Sequence, residues 1–363
     1  MPTIADIRAE ASRLCARFEA VGAVQVDCPV LQPAETLLDL YGEDIRARAY
    51  VTRDPARGEM MLRPDFTVPV VERHMAVGAD PARYTYSGEV FRRQEDHPGR
   101  TSEYMQVGYE VFDRDAPAEA DAEVFALIAE ELAPLHLRAA TGDIGLLIAM
   151  VSGLRISDDR KAALMRHIWR PARFTSLVKR FAGQVPVPDS RRALLASEEP
   201  LAQAGVQIGL RSPSDVQARI DALRADAAEP PMSAEEVDLI AAVLGISETC
   251  PNALEHLRDI AVDLPSITDA LDRFEARCAA LVKRGVDVDL LDFEASYGRT
   301  SMEYYDGFVF GFLASGHRDL PAVATGGRYD ALTQVLGLGR EIPAVGGVIR
   351  PELVRRIMAE AVQ

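Results

Sequence analysis

The sequence predicts an α+β protein, because two kinds of hydrophobic pattern occupy separate parts of the chain. Alternating apolar and polar residues, which are typical of half-buried strands, run through residues 83–112 and return after residue 285. Between about 155 and 284 the composition is dominated by Ala, Arg, Glu and Leu, and helical segments are separated by Pro and Ser clusters. We therefore expect a sheet-containing core that is interrupted by a helical region.

The N-terminal part combines helices with short strands. Residues 4–20 carry an apolar stripe at helical spacing, and residues 50–52 and 59–62 are predicted strands around a turn. Asp65 and Thr67 stand directly before the next helical pattern. One interpretation makes either residue the N-cap of that helix, whereas the other places both as acceptors for the amino group of a ligand.

Residues 83–112, two predicted strands joined by a long charged loop, are the most informative stretch. Because side chains alternate along a strand, Gln106 and Glu110 share one face of the second strand with Tyr104 and Gly108. The glycine predicts an open floor beside two hydrogen-bonding groups, as a small polar ligand would need. The alternative interpretation is a sheet with a solvated face and a flexible hairpin.

Three arginines, Arg92, Arg93 and Arg100, bracket the polar loop of this hairpin. The planar fork of a guanidinium group donates two parallel hydrogen bonds and therefore suits a carboxylate or a phosphate. Hairpin loops usually have about two to five residues, so a polar loop of about a dozen residues favours a functional role. The stretch as a whole predicts a pocket for a small polar ligand.

Two helices are predicted after the hairpin. Residues 117–135 have an amphipathic helical pattern, and residues 141–143 open a second helix that continues to about residue 154. Asp158 and Asp159 are followed by neither the Thr nor the Gly of a phosphoribosyl-diphosphate cradle. We therefore interpret this acidic pair as the start of a helix.

Strands return in the C-terminal part. Residues 286–294, 303–313 and 342–349 are predicted strands, and a last helix follows them. In the second of these, Tyr305 shares a face with glycines, so that a phenol again stands beside an open floor. Residues 325–330 are predicted to form a tight Gly turn into a helix.

Composition and charge argue against several functional classes. The 363 residues carry 40 basic and 56 acidic side chains, a net charge of -16, which disfavours a broad nucleic-acid surface. The cysteines form no CxxC pair and the histidines no HExxH spacing, so no metal site, disulfide framework or cofactor is expected. No apolar run reaches the roughly 18 residues needed to span a bilayer, and a cytoplasmic location is expected by default.

Five motifs occur in the order seen in class II aminoacyl-tRNA synthetases of the histidyl type: LRPDFT, YSGEVFRRQEDHPGRTSEYMQVGYE, EYYDGFVF, TGGRYDAL and IPAVGG. The chain resembles this family everywhere except in its helical middle. The resemblance implies an antiparallel sheet flanked by helices, usually in a dimer. It also implies a synthetase-like core at 1–150 and 286–363 with a helical insertion at 151–285. In a departure from the synthetases, no anticodon-binding domain is expected.

Three departures from the synthetases indicate which relatives the chain is most similar to. Thr300 stands four residues before the Tyr pair, where the histidyl synthetases carry an arginine that acts in amino-acid activation. Leu353 replaces an arginine that stacks on ATP, and Arg350 and Pro351 stand where small residues are usual. Since no anticodon-binding domain is expected either, the chain resembles the regulatory-subunit family of ATP phosphoribosyltransferase, whose members do not aminoacylate.

The resemblance implies a histidine pocket with three chemical tasks. Acceptors bind the α-ammonium group, a guanidinium group binds the carboxylate, and both ring nitrogens of the imidazole need partners. The implied residues are Asp65, Thr67 and Gln106 for the ammonium group, Arg92 for the carboxylate, and Glu110 and Tyr305, beside Tyr304, for the imidazole. Arg100 and Tyr104 are implied as possible contacts of a nucleotide or an anion.

The resemblance further implies a regulatory role in the first step of histidine biosynthesis. Such a subunit assembles with a short-form ATP phosphoribosyltransferase catalytic subunit, supports its activity and takes part in feedback inhibition by histidine. A homodimer within a hetero-oligomer is expected, with neither nucleic acid nor membrane as a partner. Two alternatives stay open: a histidyl-tRNA synthetase that lacks its anticodon domain, and a synthetase-like module for another amino acid.

Overall fold

The computed structural model describes residues 2–41, 48–94, 100–202, 204–206, 208–299, 303–317 and 319–361. Within these ranges a nine-stranded sheet forms the centre of the molecule, and a three-stranded sheet is built from the N-terminal part. Helices supply the remaining regular structure. None of the helices in the described ranges is long and apolar enough to cross a membrane.

The strands of the described residues are short to medium in length. They are β1 (Val24–Gln25), β2 (Leu31–Pro33), β3 (Val51–Asp54), β4 (Gly58–Leu62), β5 (Ala82–Phe91), β6 (Glu103–Phe112), β7 (Arg138–Asp143), β8 (Ser247–Thr249), β9 (Asp292–Glu294), β10 (Phe308–Leu313), β11 (Ala324–Arg328) and β12 (Ala344–Ile349).

The α-helices flank these strands along the whole chain. They are α1 (Ile4–Ala20), α2 (Ala34–Tyr41), α3 (Thr67–Val77), α4 (Pro117–Leu132), α5 (Ile144–Gly153), α6 (Asp158–Met165), α7 (Pro171–Phe181), α8 (Asp189–Ala196), α9 (Pro213–Ala228), α10 (Ala234–Gly245), α11 (Cys250–Asp263), α12 (Thr268–Lys283), α13 (Asp330–Leu336) and α14 (Pro351–Ala361). Single 3-10 turns follow α4 at Ala133–Leu135 and α11 at Pro265–Ile267.

The central sheet is mainly antiparallel. Its strand order is β1-β5-β6-β12-β11-β10-β7-β9-β8, and every pair from β5 to β7 is antiparallel. Parallel pairs occur at β1–β5 and at β7–β9. The smaller sheet has the order β2-β4-β3 and is antiparallel throughout. An α+β fold with a mostly antiparallel sheet is thus confirmed.

Helix α1 has the bounds that its apolar stripe predicts. Thr3 and Asp6 form a capping box, in which each side chain binds the other's backbone N–H. Leu14 and Phe18 are fully buried on the stripe, where the helix packs against β5 and β6. The capping residues and the buried apolar face therefore support the same helix.

The C-terminal strands differ from their predicted limits. The predicted strand at 303–313 begins only at Phe308, so Tyr304 and Tyr305 lie in an irregular segment before β10. The predicted Gly turn at 325–330 is wrong, because its glycines lie within β11. Gly326 is required there because a Cβ would collide with the Phe310 ring. This glycine therefore indicates close packing across the sheet and not a turn.

The helical middle also contributes to the central sheet. Strand β8 pairs with β9 at one edge, and helix α12 packs against α4. Strand β7, which the sequence did not indicate, pairs with β10 over residues 138–143. The domain limits at 151–285 stay a prediction, and this part of the chain adds both an edge strand and a packing helix to the core.

A buried ion cluster joins four elements next to the sheet. Arg328 at the end of β11 donates to Asp121 of α4 at 2.7 Å. Arg277 of α12 donates to Asp143 at 2.9 Å and lies 3.6 Å from Asp121. The arginines and aspartates compensate one another's charges, which would be costly to bury alone. The cluster fixes the end of β11, directly before Tyr329.

Candidate functional site

A small cavity lies between β6, β11, β12 and the start of α3. Its volume is about 30 Å³. The residues that line it are Asp65, Thr67, Arg92, Gln106, Glu110, Tyr304, Tyr305, Thr325, Tyr329, Gly346, Gly347 and Val348. The fold thus brings together all seven residues that the sequence analysis assigned to a histidine pocket, and their role in binding stays a prediction.

Glu110 is the central acid of the cavity. Its Oε1 accepts hydrogen bonds from Tyr86 Oη at 2.8 Å and Thr67 Oγ1 at 3.1 Å, and its Oε2 accepts from Tyr329 Oη at 2.6 Å. Burial raises the pKa of Glu110 to about 7, although these three hydrogen bonds oppose the rise. The buried carboxyl group is therefore harder to ionise than an exposed one, and a cationic ligand would favour its charged form.

Two glycines explain how the sheet accommodates this carboxyl group. Gly346 stands directly opposite Glu110 in the β12–β6 register, and a Cβ there would collide with Glu110 Oε2. Gly108 is covered by the ring of Tyr86, its partner on β5. The expected open floor at Gly108 is therefore wrong, since the Tyr86 ring fills it and carries a hydroxyl group to Glu110.

Tyr329 is positioned by the residues on both sides of it. Arg328 is tied to Asp121, and Asp330 accepts a hydrogen bond from a backbone N–H of β12 at 2.8 Å. The backbone N–H of Asp330 in turn donates to Asp306 at 3.0 Å. Burial, followed by the charge of Asp330, raises the pKa of Asp306 to about 7. These ties hold the Tyr329 hydroxyl group against Glu110.

The residues predicted to accept from an ammonium group lie on β6 and at or just before the start of α3. Gln106 Oε1 is buried and has no hydrogen-bond partner within the described part of the chain. Asp65 is 4% exposed, and its Oδ1 lies 3.5 Å from the backbone N of Val68. The N-cap interpretation is wrong for both candidates, because Phe66 occupies that position and Thr67 is the first helical residue.

Arg92, Tyr304 and Tyr305 complete the wall of the cavity. Arg92 Nε donates to the backbone O of Pro64 at 2.7 Å, and Tyr304 Oη donates to Thr67 Oγ1 at 3.3 Å. A Cβ at Gly327 would collide with the Tyr305 ring, so glycine is needed beneath it. Burial, assisted by the nearby charge of Glu110, raises the pKa of Tyr305, which therefore stays a neutral phenol.

The cavity is narrow in this structure. Its volume of about 30 Å³ leaves room for at least one water molecule. Tyr304 and Tyr305 belong to the irregular segment before β10, whereas Gln106 and Glu110 are fixed within a strand.

The residues implied as nucleotide or anion contacts lie outside this cavity. Arg100 Nη2 donates to the backbone O of Asp319 at 3.4 Å. The guanidinium carbon of Arg350 lies 5.0 Å from the centre of the Tyr104 ring. One face of that ring is therefore covered by the protein's own cation.

The other departures from the synthetase motifs have different outcomes. Thr300 lies outside the described residues. Its neighbour Arg299 is 4% exposed, and its Nε donates to the backbone O of Ile168 at 2.8 Å, away from the residues that line the cavity. Leu353 is a buried apolar residue of α14.

Sequence reasoning missed Tyr86 and Tyr329, the two phenols that bind Glu110. Tyr86 could have been found from strand alternation. It stands opposite Gly108, which shares a strand face with Glu110, so the Tyr86 side chain lies on that face. Tyr329 follows the TGGR motif, and no local pattern indicates that it bends back to β6. Its position results from the pairing of β11 with β12.

Known proteins resemble this chain in sequence over most of its length. The sequence profile of the histidyl-tRNA synthetase family matches residues 2–225 and 215–354. An ATP phosphoribosyltransferase regulatory subunit of Sinorhizobium fredii is 32% identical over 402 residues, covering 99% of this chain and 99% of the relative. One of the same name from Agrobacterium fabrum is 33% identical over 366 residues, covering 95% and 96%.

Solved structures share the fold. An ATP phosphoribosyltransferase regulatory subunit/histidyl-tRNA synthetase from Bacillus halodurans superimposes with a TM-score of 0.67 at 20% identity, covering 97% of this chain and 79% of that one. A histidine–tRNA ligase subunit from Alicyclobacillus acidocaldarius gives a TM-score of 0.63 at 24% identity, covering 100% and 96%. The predicted class II synthetase-like fold is thereby confirmed.

Proposed function

The chain belongs to the family of ATP phosphoribosyltransferase regulatory subunits, as its motifs predicted, and we propose that it binds free histidine and thereby regulates a separate catalytic subunit. The family places it in histidine biosynthesis as a non-catalytic subunit. The catalytic partner, the histidine ligand and feedback inhibition are parts of the proposal. We also propose a homodimer within a hetero-oligomer.

The observation that carries the histidine assignment is the presence of two chemically different acceptor groups in one cavity. Gln106 Oε1 is a buried acceptor without a partner among the described residues, and Glu110 is a buried acid that is held by neutral hydroxyl groups. An unpaired buried acceptor costs free energy until a donor reaches it. The α-ammonium group of an amino acid is such a donor. An imidazolium ring would bring Glu110 the positive charge that its hydroxyl partners do not supply.

Specificity for histidine follows from the polar lining. A site that pairs both ring nitrogens rejects an apolar amino acid of similar size, because its own buried polar groups would lose their partners. Glu110 accepts from one ring nitrogen in this arrangement, and the Tyr305 hydroxyl group serves the other. Arg92 supplies a guanidinium group for the carboxylate.

We propose that the loop at 94–102 changes its order when histidine binds. Residues 95–99 of this loop lie outside the described ranges. A histidine-dependent change in its order would make limited proteolysis within the loop slower when histidine is present. Equal cleavage rates with and without histidine would count against the loop and leave the pocket assignment intact.

Regulation requires that histidine binds two assemblies with different affinities. A ligand can inhibit only if it binds the inhibited form more tightly than the active form. We therefore expect histidine affinity to differ between the isolated chain and its complex with a short-form catalytic subunit. The relatives' names support ATP phosphoribosyl transfer as the reaction that such a complex would catalyse.

The decisive experiment has two stages. Calorimetric titration of the purified chain with each of the twenty amino acids should show binding of histidine alone. Co-purification with a short-form phosphoribosyltransferase subunit should then give a complex that is active and is inhibited by histidine. Robust histidine-dependent pyrophosphate exchange with ATP would instead favour a synthetase, and binding of a different amino acid would reject the histidine assignment.

A further inference from the structure

A second cavity lies at the end of α3, beside the end of β6 and the start of β12. Its volume is about 370 Å³, against about 30 Å³ for the cavity around Glu110. It is lined by residues 74–78, Arg114 and residues 340–342, none of which lines the cavity around Glu110. Small-molecule sites usually have volumes of roughly 300–1,000 Å³, so this cavity has the size of a ligand site. We call it the α3 cleft.

Two guanidinium groups are held in the α3 cleft by contacts within the protein. Arg340 Nη2 donates to the backbone O of Met75 at 2.7 Å, at the end of α3. Arg114 Nη2 donates to the backbone O of Glu341 at 2.9 Å, and its Nε donates to Asp80 at 3.2 Å. Within the described ranges, Nη1 of neither arginine forms a hydrogen bond. Each group therefore has a defined position and retains an NH₂ group that can donate to a ligand.

His74 adds a third polar group to the wall of the α3 cleft. Its side chain is buried, and its ring stacks on Phe112 with a centroid distance of 3.9 Å. Nδ1 lies 3.1 Å from Tyr84 Oη, whereas Nε2 is buried without a hydrogen-bond partner among the described residues. When Tyr84 donates to Nδ1, the ring proton lies on Nε2, and this buried donor lacks an acceptor. An acceptor atom on a ligand would lower the free-energy cost of that unpaired group.

The rest of the lining favours a ligand that is partly apolar and singly charged. Met75 and Val77 contribute apolar surface, and Val77 is 81% exposed, so a ligand that covers it removes apolar area from water. Asp80 already compensates the charge of Arg114, and the exposed Glu341 adds a negative charge to the lining. A monoanion therefore suits the cleft better than a dianionic phosphate.

We propose that the α3 cleft is a second ligand site, which binds a small carboxylate with an apolar body. Nη1 of Arg340 and Nη1 of Arg114 donate to the carboxylate oxygens, because the planar guanidinium group matches them. The apolar body lies against Met75 and Val77. Since the cleft shares no residue with the cavity around Glu110, the proposal does not depend on histidine being the ligand of that cavity.

Fluorine NMR titration of the full chain with para-fluorobenzoate at pH 7 tests the proposal. Para-fluorobenzoate should bind, and acetate and inorganic phosphate should compete with it only weakly, because neither has an apolar body. The neutral para-fluorobenzyl alcohol should bind about tenfold more weakly or less, because it carries no charge for the guanidinium groups. Saturating histidine should leave the binding of para-fluorobenzoate unchanged.

Arginine variants locate the binding site. Arg340→Ala should weaken para-fluorobenzoate binding roughly tenfold, since a charged hydrogen bond is lost, and Arg340→Lys should recover part of the loss. Arg114→Ala should show a similar loss, and it serves as the test if removing the Arg340 contact to Met75 prevents folding. Arg356→Ala is the matched control, because Arg356 pairs with Glu360 and does not line the cleft. Thermal unfolding checks that each variant folds.

The possible outcomes separate this site from the cavity around Glu110. Equal binding of the acid and the alcohol, tight competition by phosphate, or displacement by histidine would overturn the proposal. Unchanged affinity in both Arg340→Ala and Arg114→Ala would do the same, as would a lack of para-fluorobenzoate binding at millimolar concentration. Weaker binding in these variants with histidine affinity retained supports the proposal, and absent histidine binding in the unaltered chain bears on the proposed function alone.

Discussion

Two buried carboxylates beside the central sheet, Glu110 and Asp121, are stabilised in different ways. Glu110 accepts hydrogen bonds from three neutral hydroxyl groups, and burial raises its pKa to about 7. Asp121 accepts from Arg328 at 2.7 Å and lies 3.6 Å from Arg277. The charge of Asp121 is therefore compensated within the protein, whereas that of Glu110 is not.

This difference is what we expect between an acid that holds the fold together and an acid that binds a cationic ligand. The ion pairs of Asp121 join α4, α12 and β11, so that their energy contributes to holding the elements together. The hydroxyl groups around Glu110 satisfy its hydrogen bonds and supply no positive charge. A buried acid of this kind can favour a cationic ligand, because the ligand brings the charge that the protein lacks.

The largest expected effect concerns Asp121. Removing one partner of a buried ion cluster leaves uncompensated charges, so Asp121→Ala should lower the free energy of unfolding by about 3–5 kcal/mol. Urea unfolding measures this change. The exposed Asp115→Ala should stay within about 0.5 kcal/mol of the unaltered chain. A loss below about 1 kcal/mol in Asp121→Ala would show that the cluster is not what holds these elements.

Glu110→Ala should act on binding instead. Losing a desolvated hydrogen bond to a charged group should reduce histidine affinity by about 2–4 kcal/mol, measured by calorimetry. Circular dichroism should show that the fold is intact. Glu110→Gln keeps an acceptor for the phenols and separates the loss of charge from the loss of packing. Unchanged histidine affinity in both variants would reject the assignment of Glu110 to the imidazole.

The affinity for histidine should depend on pH in two directions. The bound pair of imidazole and Glu110 holds one proton, while the free groups have pKa values of about 6.5 and about 7. Above pH 7 the pair must take up a proton, and below about pH 6 it must release one, so affinity should fall up to about tenfold per pH unit on each side. In Glu110→Gln the alkaline decline should disappear.

The smallest expected effect is that of Tyr329→Phe. The Tyr329 hydroxyl group lowers the pKa of Glu110, so its removal should raise that pKa further. The alkaline decline in histidine affinity should therefore move to higher pH, and the free energy of unfolding should fall by about 1 kcal/mol. Tyr50→Phe, at a 39% exposed position, is the control. An unshifted pH profile would mean that Tyr329 does not tune the acid.

Sequence patterns predicted the elements that have a strong local signal. Helix α1 and the β5–β6 hairpin were predicted to within a residue or two, because an apolar period of 3.6 or 2 is written into consecutive residues. Strands β7 and β8 were missed, since their few residues are ordered by partners far away in the chain. Likewise, the glycines of β11 resemble a turn until the ring of Phe310 is placed beside them.

By itself, the sequence determined the family and the seven residues that meet in one cavity, because motif order and strand alternation need no knowledge of packing. Only the tertiary structure decided what surrounds Glu110. Its three hydroxyl partners come from β5, α3 and the residue after β11, which the folded sheet brings together. The electrostatic character of a buried acid depends on such long-range neighbours, and no local pattern encodes them.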